Sequence, residues 1–168
     1  MSETLIITVI MLACIALIIA LMINSVKKQA RGKMRKLEGK LAELTGQRKL
    51  NISRKEKLRN RLVAADAKQQ ALIYLWLERD EAAYELIHFN KVKKCEIIKL
   101  SNRITEKSAK GKNQVHEHIT AIHLQLATDK NIFTIPFYSE VEDGVLEMQE
   151  LTKRAEEWRT YIGNTGNN

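Results

Sequence analysis

The sequence predicts an α+β protein in two unequal parts: a helical N-terminal segment, then a strand-rich domain closed by one amphipathic helix. Three observations carry this reading. Leu5 to Ile23 contains no charge, and Thr8 is its only polar side chain. Residues 24–61 hold fourteen Lys and Arg against three acids, whereas residues 62–168 hold fourteen against sixteen, so the net charge of +8 is concentrated in one block. Beyond residue 61, apolar side chains recur with a period of two in short runs and then, from Val141, every three or four positions. An apolar share of 45% over 168 residues excludes wholesale disorder, and two cysteines are too few for a disulfide scaffold. A nearly neutral domain beyond a basic block is also unlike a protein that coats nucleic acid, and no nucleic-acid partner is expected.

Residues 5–23 suit a transmembrane helix, because nineteen residues at ~1.5 Å each span ~28 Å of a ~30 Å hydrocarbon layer. A cleavable signal peptide would need a basic start and a shorter apolar run, and Met1 to Thr4 carries no base. Lys27, Lys28, Arg31, Lys33, Arg35 and Lys36 follow at once, and such an excess keeps its end of a span cytoplasmic. Residues 1–4 are then a short extracytoplasmic N-terminus, and everything beyond the span is cytoplasmic. The same six bases are candidate contacts for anionic headgroups, at ~1 kcal/mol each. On this topology Asn51-Ile52-Ser53 is a silent glycosylation acceptor. Cys14 lies in the bilayer and Cys95 in a reducing compartment, so no disulfide is expected.

Residues 24–46 form a basic helical stalk in which Met34, Leu37, Leu41 and Leu44 alternate three and four apart before Gly46. Stepping this register back through an unbroken helix passes Ala20, Ala16 and Ala13, small residues that favour close pairing inside a membrane. Ala13, Ala16, Ala20, Met34, Leu37, Leu41 and Leu44 are therefore the candidate seam of a parallel homodimer. Against it stand a span apolar on every side and the helix-weakening Gly32 and Gly39. Residues 47–60 read as a basic linker or short helix, with the capping-box spacing Ser53-Arg54-Lys55-Glu56.

Residues 61–163 are expected to form the cytoplasmic domain, and 164–168 a tail. Strands are expected at 62–65, 71–77, 84–89, 92–100, 115–127 and 132–138. Ala71 to Leu77 is apolar on both faces and so central, while Pro136 puts the last strand at an edge. Ile122, Leu124 and Leu126 should point inward and Ala121, His123 and Gln125 outward. One helix from about Val141 to Ile162 presents Val141, Val145, Met148, Leu151, Ala155, Trp158 and Ile162 as a stripe, with Ser139 and Glu142 as its capping box and Gly163 as its stop.

Consecutive antiparallel strands, a long fourth-to-fifth loop and a single C-terminal helix carrying Trp158 resemble the pleckstrin-homology-like fold, over residues 60–162. The runs Leu62-Val63-Ala64-Ala65-Asp66, Leu72-Ile73-Tyr74, Val92-Lys93-Lys94-Cys95 and Phe137-Tyr138 resemble small single-span membrane proteins of bacteria. The resemblance implies a six- to seven-stranded antiparallel sheet or partly open barrel capped by the helix. Six strands are counted where that fold has seven, so the fourth or fifth has to be divided. It also implies the bacterial inner membrane as location. The first-to-second strand turn, which is basic in phosphoinositide-binding members, holds only Lys68 here, so that recognition is not expected.

No reaction centre is legible. The seven glycines are scattered and none opens a helix after a strand, so no phosphate loop is present. Nothing brings Cys95 to His88 or His123 as a nucleophile and its base. His116 and His118 share a strand face and are the candidate metal pair, with His123 or Glu117 as further donors. A zinc site needs a third and fourth ligand, so neither a metal nor another cofactor is expected. Lys91, Lys93, Lys94, Lys107, Lys110 and Lys112 could make one anionic contact or a solvated loop. The function expected is a non-catalytic, membrane-anchored interaction or scaffold protein whose partners are the bilayer and another protein. The alternative is a sensor of anionic lipid acting through the stalk and loop bases.

Overall fold

The structure, a computed structural model, describes residues 2–107 and 113–166, with side chains for Thr8, 11–103 and 117–165. Helix α1, Ser2–Arg48, runs 47 residues without a break, which is about 70 Å at the usual rise. It contains one stretch long and apolar enough to cross a membrane. Its end is not at Gly46: Lys49 adopts φ +52, and the Leu50 N–H donates to the Thr45 carbonyl at 3.1 Å. This is the six-to-one bond of a Schellman cap, here with lysine in the left-handed position.

Seven strands follow in two antiparallel sheets. The first contains β1 (Arg54–Leu58), β2 (Arg61–Asp66), β3 (Ala71–Glu78) and β4 (Glu81–His88) in that order. The second contains β5 (Val92–Lys107), β6 (Asn113–Thr128) and β7 (Ile132–Ser139). The missing seventh strand is β1, within the segment expected to be a linker or short helix. Neither long strand is divided; β5 and β6 each run 16 residues with a register shift at Leu100/Ser101. The sheets do not close into a barrel. The first-to-second strand turn is therefore Arg59-Asn60, and Lys68 lies in the second-to-third.

The β1 sequence, Arg-Lys-Glu-Lys-Leu, has little intrinsic strand character. It is a strand because its charges alternate between two helices. Arg54 and Glu56 meet Glu157 and Arg154 at 3.2 and 2.9 Å, and Lys55 and Lys57 meet Glu38 at 3.5 and 2.6 Å. Ser53 caps nothing. Its N–H and hydroxyl donate to the Ala65 carbonyl at 2.8 and 3.0 Å, and the hydroxyl lies 2.9 Å from that of Tyr161.

The first sheet is buried on both faces. Inward, Val63, Ala65, Leu72, Tyr74 and Ile87 pack with Ile122, Leu124, Leu126, Ile135 and Phe137 of the second sheet, and Leu151, Ala155, Trp158 and Ile162 close the open end. Outward, Leu62, Ala64, Ile73 and Leu75 pack against Leu37, Leu41, Leu44 and Leu50. The stalk leucines, candidate seam of a homodimer, are thus consumed within the chain: Leu37 is 0% exposed, Leu41 7% and Leu44 2%. Met34 packs at the edge of the same cluster. The domain accordingly begins near residue 34 rather than 61.

The C-terminal region is not one helix. Glu140–Asp143 forms a single turn, α2; Gly144 adopts φ +77; Val145–Glu147 is a 3-10 turn; and α3 is Met148–Gly166. A φ of that sign breaks the helix and suits glycine. Val141 and Val145 therefore leave the stripe, which begins at Met148. The expected Ser139 cap is absent, and Asp143 Oδ2 instead accepts the Ser139 N–H at 2.8 Å. Gly163 lies inside α3, which passes the expected stop. Pro136, on edge strand β7, sits at the register shift with β6.

Asp66 ties the end of α1 to the β2–β3 turn, accepting the Asn51 N–H at 2.7 Å and the Gln69 N–H at 2.9 Å. Burial by itself would raise this carboxyl, but the backbone N–H bonds from Gln69, Asn51 and Lys68 and the charge of Lys68 hold it below its ordinary 3.8. A carboxylate whose folded pKa is depressed stabilises the fold fully above the unfolded value and loses that contribution as pH falls through the folded one. Asp66→Asn in residues 27–168 is expected to cost about 1.5–3 kcal/mol at neutral pH. The gap from the parent should shrink as pH falls below 3.8, as measured by urea unfolding across pH. A gap independent of pH would refute the role assigned to the charge.

Candidate membrane-facing end of the domain

Helix α1 lies along β2 in the same direction, which defines two ends of the domain. Asn51 meets Asp66 at the end of β2. Fifteen residues earlier along the chain lies the other pole: Lys36 Nζ is 2.5 Å from Asp80 Oδ2 and 3.1 Å from the Asp80 carbonyl. Asp80 and Arg79, with φ +73 and +48, form the two-residue turn between β3 and β4. Two positive φ values mark a type I′ turn, whose twist suits a hairpin. Lys33 lines a 280 Å³ cavity with Asn60, Arg61, Tyr74, Trp76, Leu77 and Glu142. The β1–β2 turn, the β3–β4 turn and the α2 segment therefore share the end from which α1 leads back to its apolar stretch.

A buried polar cluster organises this end. Arg61 is 9% exposed; its Nη2 donates to Glu142 Oε2 at 2.9 Å and lies 4.0 Å from Asp143 Oδ2. Its Nε and the Tyr138 hydroxyl are buried without hydrogen-bond partners. Tyr74 stacks on Trp76 with ring centroids 5.1 Å apart, and burial pushes its hydroxyl up to about 12 against the opposing charge of Arg61. His118 Nε2 lies 2.7 Å from Glu140 Oε1. These pairs anchor α2 to β2 and β6, with Asp143 buried and Glu140 and Glu142 paired at the surface.

The six collar bases divide into two sets. Lys27, Lys28, Arg31 and Arg35 are exposed, whereas Lys33 lines the cavity and Lys36 is held by Asp80. Because α1 is continuous and docked from Met34 onward, the stalk as a whole cannot lie down on a surface. Ala13, Ala16 and Ala20 are exposed, as are the other described side chains of the apolar stretch.

Of the metal candidates, the His116 side chain lies outside the described residues, and His118 is engaged by Glu140. Among the described residues no three His, Cys, Asp or Glu side chains converge as metal ligands. Cys95 is half-buried, and burial pushes its thiol up to about 11 despite the charge of Arg159. Burial and Arg61 together lower the His123 imidazole. No described hydrogen bond joins Cys95 to an imidazole, so this thiol lacks the activation a nucleophile needs. The loop bases that could have made one anionic contact or a solvated loop are divided among the described residues. Lys91, Lys93 and Lys94 sit at the start of β5, where Lys93 and Lys94 pair with Asp129 at 3.9 Å and Glu96 at 2.8 Å. Lys107 ends the same strand, about 50 Å of extended chain away. Lys110 and Lys112 lie outside the described residues.

The sequence reading missed the apolar connection between β7 and α3. It assigned Val141 and Val145 to a buried stripe, although Gly144 between them was a visible warning. No protein-family model matches this chain, and neither a curated protein nor a solved structure is detectably similar to it.

Proposed function

We propose that the chain is a non-catalytic, single-pass protein of the bacterial inner membrane, with its N-terminus outside and a pleckstrin-homology-like domain at the cytoplasmic face. The domain is held there in a fixed orientation and recruits a protein partner. The observation that carries the reading is the continuity of α1. One helix supplies both the membrane-length apolar stretch and, through Leu37, Leu41 and Leu44, part of the domain core. An anchor built in this way restricts rotation as well as distance. Four strands, three strands and a closing helix match the element order of the pleckstrin-homology-like fold. The basic collar supports the orientation. The engagement of Lys33 and Lys36 by the domain speaks against a lipid sensor working through the whole stalk.

Edge strand β4 carries the half-exposed Tyr84 and is a natural place for a partner to add a strand. A photo-crosslinking side chain in place of Tyr84, in the full-length protein within its native membranes, is expected to yield one discrete adduct with another protein. Adducts with lipid alone would favour the sensor reading instead.

A further inference from the structure

Outside α1, the barest large apolar side chains described are Val141 and Leu146, 96% and 98% exposed, with Val145 between them at 55%. All three fall on the eight-residue connection between β7 and α3, where Gly144 breaks the helix that would have carried Val141 and Val145 into the core. The neighbouring carboxylates, by contrast, are each held by a partner. Glu140 is held by His118, Glu142 by Arg61, and Asp143 by the Ser139 N–H. Asp143 is buried, the paired Glu140 and Glu142 side chains stay 37% and 41% exposed, and the most exposed side chains of the connection are the three apolar ones and Glu147.

The place of this connection relative to α1 bears on what could cover it. Glu142 shares a cavity with Lys33, and Lys33 follows Ile23 by ten residues, about 15 Å of helix. The interfacial zone of a bilayer occupies about 5–8 Å of that distance. A helix tilt of about 20° lowers a point ~15 Å off the axis by another ~5 Å. Trp76, in the same cavity, is of the type enriched at that depth. We propose that the β7–α3 connection seats the domain on the bilayer that α1 crosses, with Val141, Val145 and Leu146 entering its interfacial zone. The contact would be apolar and independent of headgroup identity. It adds a second point of attachment, off the helix axis, that fixes the face the domain shows to the cytoplasm. This inference rests on the membrane-anchored reading above.

The test uses the full-length chain in phosphatidylcholine vesicles with and without brominated acyl chains. Leu146→Trp is compared with Leu17→Trp in the apolar stretch and with Ile132→Trp, an exposed site at the start of β7 at the opposite end, against the parent's own Trp76 and Trp158. Position 146 is almost wholly exposed, so the substitution leaves the fold intact, which an unchanged melting curve verifies. The emission added at 146 is expected to be blue-shifted and quenched by bromine, though less than that at 17, while that at 132 is neither. Quenching at 17 but not at 146, with red-shifted emission, would overturn the inference and leave the anchor standing. Blue-shifted emission at 146 without quenching would mean that protein, a partner or a second copy, covers the loop, and would also overturn it. Absence of quenching at 17 would remove the anchored reading and this inference together.

Discussion

A fragment comprising residues 47–168 is expected to lose cooperative unfolding and to aggregate, whereas residues 27–168 should fold as a soluble domain. The charge pattern makes residue 47 a natural place to cut, but the cut removes Leu37, Leu41 and Leu44 from the outer face of the first sheet and bares Leu62, Ala64, Ile73 and Leu75. Removing one buried leucine side chain costs about 2–5 kcal/mol. Three such losses are comparable with the whole stability of an ordinary domain, about 5–15 kcal/mol. The exposed sheet face would also be a contiguous apolar patch of the kind that drives association. Urea unfolding followed by circular dichroism, with size-exclusion chromatography of both fragments, decides the matter. Equal midpoints would show that α1 is a dispensable stalk. In the longer fragment Leu37→Ala alone is expected to cost about 2–5 kcal/mol.

Trp158→Ala is expected to be among the most damaging single substitutions in the domain, at about 3–5 kcal/mol. The side chain is fully buried and closes the open end between the sheets. It also organises its neighbours: the Tyr161 ring meets it edge to face at 5.8 Å, and the Arg54 guanidinium lies 4.9 Å from its centroid. Loss of the indole therefore loosens the contact between α3 and β1 as well as the core. Its N–H has no hydrogen-bond partner, so Trp158→Phe gives up volume but no hydrogen bond and should cost much less. Chemical denaturation of residues 27–168 measures both variants, and equal losses would place the importance of Trp158 in the indole N–H rather than in packing.

Some of this architecture was legible because it depends on local pattern. The alternation of Ile122, Leu124 and Leu126 reports one buried face of β6, and the apolar run from Ala71 to Leu77 reports two. That second face was the informative clue: a strand apolar on both sides needs two covers. The sequence also displayed a matching cover in Met34, Leu37, Leu41 and Leu44. A periodic seam records that something apolar packs there without recording what, and pairing with a second copy satisfies the pattern as well as docking on the chain's own sheet. β1 was illegible for a related reason. Its charges make sense only beside Glu38, Arg154 and Glu157, and exposed ion pairs of this kind leave no apolar period to read. In the α2 region, two valines at helical spacing outweighed the single glycine that in fact decided the backbone.

The membrane-length apolar stretch, the basic collar and the order of strands before a final amphipathic helix are properties of the sequence alone, because each follows from composition or from periodicity within a few turns. The tertiary structure decided that α1 continues into the domain core, that the first sheet is covered on both faces by the same chain, and that three apolar side chains are turned outward beside Arg61 and Lys33. Those outcomes depend on which distant surfaces meet, and burial of apolar area rewards any complementary partner without naming it.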